Sequence, residues 1–257
     1  LLILDWNIPN RDLIELDRRG HKVFMIDHHH RKIRPPKHIR YINPIEEAPS
    51  TSWIITEQLN EKIDMLTILG VCGDLEEKIK EHKAYPKIKR ELKRSGQRLT
   101  DIMKLAKRLN ILGQYGDRGK VNEAPRRILQ KKLDTSKLLS EEDWLKIEEE
   151  IGKEIRRILK ESLTITEKTV TLRFKSRFKI TSSITRRLAK RYDKICIVIG
   201  ENTDQTQIYI RRGRKMKIKL TPLIDRLTAK GYIAGGKENV IGLSLIHISE
   251  PTRLLSI

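Results

Sequence analysis

Three imidazoles and a carboxylate stand side by side at Asp27-His28-His29-His30, directly after the apolar run Val23-Phe24-Met25-Ile26. Neutral imidazole nitrogen and carboxylate oxygen together suit a borderline-hard divalent ion such as manganese, with zinc or iron also in range. A short β-branched and aromatic run bounded by polar residues reads as a buried strand, and ligands at its carboxyl end project into the crevice where open α/β sheets bind substrates. The bland alternatives are an accidental polar tract or a purification-tag remnant. Against a tag, the run is internal, holds only three histidines and is joined to a strand.

Two further carboxylates fall at related places. Leu1-Leu2-Ile3-Leu4 ends in Asp5, and Asn10 to Gly20 has the pattern of a short amphipathic helix closed by glycine. Strand, helix and strand make one βαβ unit, whose right-handed crossover leaves the strands parallel and adjacent, so that Asp5 and the histidines leave the sheet at the same edge. Downstream, Met65-Leu66-Thr67-Ile68-Leu69 reads as another apolar strand, followed by Gly70-Val71-Cys72-Gly73-Asp74 and then Glu76-Glu77. Glycines there let the backbone turn close to a bound ion, with Asp74 as a third candidate ligand. Gly-x-x-Gly-Asp alone is a common turn; the order of the three elements gives it meaning.

That order resembles the DHH phosphoesterases, the superfamily of RecJ-type exonucleases, oligoribonucleases, cyclic-dinucleotide phosphodiesterases and manganese-dependent inorganic pyrophosphatases. Asp5 resembles the second motif of that family, Asp27-His28-His29 the third that names it, and Gly70 to Asp74 the fourth. Ala48-Pro49-Ser50-Thr51-Ser52, leading into an apolar helix from Trp53 to Leu59, resembles the segment between the third and fourth motifs. The carboxyl-terminal part resembles the smaller DHHA1 substrate-binding domain. Lys194 to Gly200 reads as a strand, Gln207 to Arg211 as its antiparallel partner across Glu201 to Asp204, and Leu223 to Lys230 as a helix. Gly231 to Gly242 then resembles the glycine-rich signature in which paired glycines let a phosphate approach the main chain, with Lys237 standing where the family most often has histidine. A lysine can neutralise a phosphate but cannot supply the same proton transfer.

The resemblance implies an α/β fold: a parallel-sheet DHH catalytic domain (1–138), a connector helix (139–165) and a smaller α/β DHHA1 domain (166–242). It implies metal-assisted phosphodiester hydrolysis with two Mn2+ ions, Mg2+ being an alternative. Asp5 would bridge the ions, His28 and Asp74 would ligate one, and Asp27 would orient a histidine or assist as an outer ligand. His29 would face the phosphate as a charge stabiliser or proton donor, with His30 a bystander. Arg211, Gly235, Gly236, Lys237 and Asn239 would bind substrate. The family's first motif, a strand ending in paired aspartates, has no counterpart before Asp5, so an amino-terminal truncation is expected. Leu243 to Arg253 resembles a translated sequencing adapter, and residues 243–257 are set aside as a non-native tail.

Composition bounds the partners. Lys and Arg total 54 against 34 acidic residues, a formal net charge of +20 and a pI near 10.0. Heat-adapted proteins gain charges of both signs, whereas this excess is one-sided and fits a polyanion. It concentrates in two stretches, Lys87 to Arg94 with Arg98, Lys104, Lys107 and Arg108, and Arg211 to Lys215 with Lys217 and Lys219. Aromatics make up 5% of the chain, so base stacking on a broad aromatic platform is not expected and binding should be electrostatic and salt-sensitive. Ser140-Glu141-Glu142-Asp143 resembles a helix start, and Trp144, Ile147, Ile151, Ile155, Ile158, Leu159 and Leu163 recur at helical spacing. The substrate domain then opens with a strand from Thr169 to Phe174, and Gly113 to Arg127 reads as a loop followed by helix. Cys72 and Cys196 read as buried free thiols, implying a reducing cytoplasm, and no apolar stretch approaches the roughly 18 residues of a membrane span.

The expected function is therefore a single-stranded DNA or RNA exonuclease resembling the RecJ type, in its archaeal form, acting with a replication or helicase partner. The rivals are a small-substrate phosphodiesterase for cyclic dinucleotides, short oligoribonucleotides or phosphonucleotides, and a non-catalytic nucleic-acid-binding scaffold.

Overall fold

The apolar run Val23-Phe24-Met25-Ile26 needs cover, and the chain provides it by pairing this strand on both sides. The computed structural model describes residues 1–6, 8, 10–28, 35–44, 48–202, 205–230, 232 and 234–246. It divides into two compact units, Leu1–Asn110 with Glu123–Glu141, and Ile111–Asn122 with Glu142–Ile257.

In the first unit, β1 (Leu2–Leu4), α1 (Asn10–Arg18) and β2 (Val23–Ile26) form the expected βαβ unit. The strands are parallel, with Leu2 opposite Phe24 and Leu4 opposite Ile26. Ile3, Ile8, Leu13, Val23, Met25 and Ile39 make the core between sheet and helix. A third strand, β3 (Ile39–Ile42), runs parallel on the other side of β2. It escapes a sequence reading because Ile39-Arg40-Tyr41-Ile42 is short and carries a charge. Arg40 is accommodated by its guanidinium lying 5.2 Å from the centre of the Phe24 ring across the pair.

Helices follow: α2 (Thr51–Gln58), α3 (Met65–Leu75), α4 (Tyr85–Ser95), α5 (Leu99–Tyr115), α6 (Arg118–Gln130) and α7 (Thr135–Leu139). Ser50 caps α2 by accepting the Trp53 N–H at 3.2 Å. The expected strand at Met65–Leu69 is corrected here, since these residues open α3. A five-residue apolar run fits either element by periodicity. What decides is Asp64, whose Oδ1 accepts both the Thr67 N–H (2.8 Å) and the Thr67 hydroxyl (2.7 Å) as a helix cap. The Gly113–Arg127 stretch is also mostly helical: Gly113 lies within α5, and Gly116, at φ 87°, closes it.

The second unit is built on a six-stranded sheet in the order β4 (Thr164–Ile165), β5 (Thr169–Lys175), β6 (Ile195–Glu201), β7 (Gln205–Arg211), β9 (Val240–Ile246), β8 (Ala234–Lys237). Only β5 and β6 are parallel, joined by the crossover helix α9 (Thr181–Tyr192). Asn202 turns β6 into β7 by accepting the Gln205 N–H on its side chain at 2.9 Å. On the opposite face to α9, α10 (Thr221–Ala229) covers Ile208, Ile210, Ile241 and Leu243. The stretch expected as a connector forms α8 (Glu142–Ile158), which buries Trp144, Ile147, Ile151, Ile155 and Ile158 and groups with this unit. Leu243 to Ile246, set aside in the sequence reading, continue β9 and pair with β7, and Leu243 is buried; residues 247–257 lie outside the described residues.

Candidate metal centre and phosphate-binding edge

Parallel strands deliver their carboxyl ends to one edge, and here they deliver Asp5 and His28. The Asp5 N–H donates to Ile26 O at 3.0 Å and the Asp27 N–H to Ile42 O at 3.1 Å, so each exit is tied to its neighbouring strand. Asp5 leaves β1 at φ 54°, a left-handed conformation that aspartate tolerates better than most residues. His28 Nε2 lies 3.5 Å from Asp5 Oδ1 and 3.6 Å from Asp74 Oδ1. The imidazole side chain is 11% exposed, against 50% for Asp5 and 32% for Asp74, so the histidine forms the floor and the carboxylates the mouth.

The three candidate ligands read from the sequence are thus brought together, Asp74 from α3. Two ligands each about 2.1 Å from one ion stand roughly 3.0–3.5 Å apart; the 3.5 Å separation is at the top of that range and the 3.6 Å separation just above it. Two carboxylate oxygens and an imidazole nitrogen form a donor set that suits manganese, iron or zinc, so the residues fit a divalent ion. Among the described residues no group of three or more His, Cys, Asp or Glu is drawn together as a complete ion site. The Asp5, His28 and Asp74 set meets pairwise through His28. His29 and His30 lie outside the described residues.

Asp27 is fully buried, and its Oδ1 accepts the His28 N–H at 2.9 Å, fixing the chain as it leaves β2. Thr51 was not singled out from the sequence as a site residue. Its hydroxyl donates to Asp5 Oδ1 at 2.7 Å, and Thr51 is buried at the first position of α2. The Ser-Thr-Ser run signals a helix start but not which hydroxyl reaches the strand edge. Ser52 donates to Thr67 O at 3.1 Å, tying α2 to α3.

In the second unit Arg211 is opposite Val240 on β9, and Val240 is opposite Lys237 on β8. Directly opposed residues share a face, so Arg211 and Lys237 flank Val240 about 9.6 Å apart at their backbones. Gly236 is explained by packing, because a Cβ there would lie 2.0 Å from Val240 O. Gly235 is different: a Cβ there would meet nothing within 4 Å. Asn239 sits in the tight hairpin, where its carbonyl accepts the Arg212 N–H at 3.2 Å. Of the basic stretches, α4 buries only Ile88 and Leu92, leaving Lys89, Arg90 and Lys93 exposed, and Arg214, Lys215, Lys217 and Lys219 are exposed before α10.

No protein-family model and no curated protein matches the chain. Solved structures do. The DHH domain of a member of a family of ribosomal proteins superposes with a TM-score of 0.62 at 16% identity, over 95% of this chain and 65% of that one. Manganese-bound exonuclease RecJ gives 0.63 at 14%, over 95% and 70%. RecJ of Thermus thermophilus in complex with Mn2+ gives 0.59 at 15%, over 95% and 42%. The chain therefore has the α/β fold of DHH-domain, RecJ-like proteins, and it spans less than two thirds of the first and third of them. Among the described residues no helix is long and apolar enough to cross a membrane.

Proposed function

We propose that this chain is a divalent-metal phosphodiesterase that shortens single-stranded DNA or RNA from an end. The observation that carries the reading is the meeting of Asp5, His28 and Asp74 at the carboxyl edge of a parallel sheet. In this reading Asp5, His28 and Asp74 hold manganese or magnesium through the atoms that face one another. Bound divalent cations supply an activated water and charge neutralisation at the phosphoryl oxygens. Thr51 fixes the orientation of Asp5, and Asp27 fixes the main chain of His28. His29 is assigned by the family resemblance to face the phosphate, stabilising its charge or protonating the departing oxygen. Arg211 and Lys237 neutralise a backbone phosphate, while the main chain at Gly235 leaves room for its approach.

The net charge of +20 supports a long polyanion over a small ligand, because a dinucleotide is satisfied by a few local cations. A replication or helicase partner and a cytoplasmic setting belong to the same proposal. The test is manganese-dependent cleavage of end-labelled single strands beside cyclic and linear dinucleotides, with calorimetric Mn2+ titration of the chain and of His28→Ala. The expected outcome is progressive shortening of long strands and Mn2+ binding, both lost in the variant. Hydrolysis confined to dinucleotides would replace the exonuclease by a small-substrate enzyme, and tight strand binding without Mn2+ binding would replace the enzyme by a scaffold.

A further inference from the structure

Two residues along each strand from Arg211, Val240 and Lys237, the second sheet places Tyr209, Gly242 and Gly235 directly opposed across β7, β9 and β8. Side chains two apart on a strand share a face, so this row lies on the same face as Arg211 and Lys237. Two of its three members have no side chain. The Tyr209 ring occupies the space this leaves on β9: a Cβ at Gly242 would lie 3.2 Å from its Cε1, 3.3 Å from its Cζ and 3.6 Å from its Oη. The ring is thus laid over the central strand at Gly242, while at Gly235 on the neighbouring strand a Cβ would meet nothing within 4 Å. Tyr209 is partly exposed, so the ring is not wholly consumed by packing.

We infer that Tyr209, Gly242 and Gly235 form a slot that stacks one base of the nucleic acid whose phosphate is held by Arg211 and Lys237. The inference rests on the proposed phosphodiesterase reading for the phosphate, and goes beyond it by assigning a base contact. Three observations point to a nucleoside rather than to a bare anion. An aromatic ring that is only partly buried lies against the sheet, and every base offers it a π-surface. The neighbouring glycine leaves a gap that a flat group can enter. The slot and the two cations are one strand repeat apart, about 6.8 Å, the scale of the step from a base to its own sugar and phosphate. Stacking of this kind tolerates any base, in keeping with a strand-degrading activity that lacks sequence preference.

A broad aromatic platform was not expected from an aromatic content of 5%, and none is needed, since a single ring beside a charged pair suffices for the terminal nucleotide. Gly235 also provides a clean probe. It is outside the positive-φ residues and its Cβ would be unopposed, so Gly235→Val puts a side chain into the slot with neither backbone strain nor a Cβ clash.

The test uses the whole chain in metal-free, chelator-containing buffer, so that binding is read without cleavage. The probes are fluorescein-labelled oligothymidylate and an abasic strand of the same length and phosphate charge. The base-bearing strand should bind roughly 5- to 100-fold more tightly, the range for stacking one base on an aromatic side chain. Tyr209→Leu should abolish that preference while keeping abasic-strand affinity, Gly235→Val should abolish it while also weakening the abasic strand, and Tyr209→Phe should retain it. Arg211→Ala should weaken both strands equally. A preference unchanged in Tyr209→Leu and Gly235→Val, or absent in the unmodified chain, overturns the slot and leaves the phosphate reading standing. Failure of both strands to bind the unmodified chain overturns the polyanion reading and the slot with it.

Discussion

Two glycines of one helix should respond to the same substitution with opposite signs. In α3, a Cβ at Gly73 would meet nothing within 4 Å, whereas a Cβ at Gly70 would lie 2.2 Å from Ser52 Oγ and 2.8 Å from Ser52 Cβ. Rotating the serine hydroxyl away breaks its 3.1 Å bond to Thr67 O, and the clash with Ser52 Cβ remains, so α2 and α3 must separate. Gly73→Ala should stabilise the first unit by about 1 kcal/mol, the difference in helix propensity. Gly70→Ala gains the same amount but meets an overpacking cost of about 1–3 kcal/mol, giving a net loss of up to about 2 kcal/mol. In a Ser52→Gly background the clash is gone, and Gly70→Ala should become stabilising there. Urea unfolding supplies the free energies for the double-mutant cycle, and hydrogen exchange of α2 and α3 amides localises the effect. Asp74 lies one turn beyond Gly70 on α3, so separating the helices also carries it from His28 and should weaken Mn2+ binding. If Gly70→Ala stabilises as much as Gly73→Ala, with or without Ser52, the close approach of the two helices is refuted, and with it this account of how Asp74 is placed.

Other outcomes follow from the same geometry. Thr51→Val removes the 2.7 Å bond to Asp5 and should weaken Mn2+ affinity about 10- to 100-fold, with Thr51→Ser close to the parent; calorimetry reporting equal affinities for all three would refute an orienting role. The hydrogen bond from Lys131, reinforced by the charges of Lys131 and Arg127, holds the Glu141 carboxyl below its ordinary value of 4.5, against the opposing effect of partial burial. A lowered carboxylate pKa contributes stability that is complete above the unfolded value and is lost as pH falls through the folded one. Glu141→Gln should therefore flatten the fall in stability of the first unit below about pH 4.5, and an unchanged acid limb in pH-dependent urea titrations would contradict this. Burial pushes the Cys72 thiol up to about 12 and the Cys196 thiol up to about 11. Iodoacetamide at mildly alkaline pH should label neither thiol in the native chain and both in urea, and native labelling of either would show that its strand or helix opens.

The parts of this fold that are legible in the sequence are those whose meaning is local. Leu1 to Ile26 announces strand, helix and strand through apolar runs and a closing glycine, and the parallel pairing then follows from handedness. The α4 and α8 faces are legible for the same reason, since one helix face at a time carries Ile88 and Leu92, or Ile147, Ile151 and Ile155. Met65 to Leu69 misleads because its apolar run satisfies strand and helix alike, and the capping bonds from Asp64 that decide it involve a side chain just outside the run. Asp74 comes near His28 despite that error because either element would present it near its carboxyl end.

What stays hidden depends on register and on depth. Thr51 looks like any helix-starting hydroxyl until β1 is placed beside α2, and nothing in Ala48 to Ser52 distinguishes it from Ser50 or Ser52. Tyr209 gains its setting only when β7 is paired with β9, because Gly242 is 33 residues away in sequence yet directly opposite in the sheet. The glycines divide on the same principle. Gly236 and Gly70 exclude a side chain because protein atoms fill its place, whereas at Gly235 that place is empty. A glycine required by packing says nothing about ligands, while a glycine beside open space, a ring and two cations leaves room for something the chain does not supply. By that distinction the glycine-rich signature separates into a residue packed against the hairpin at Gly236 and one beside open space at Gly235, and under the proposed function substituting the two should separate loss of fold from loss of binding.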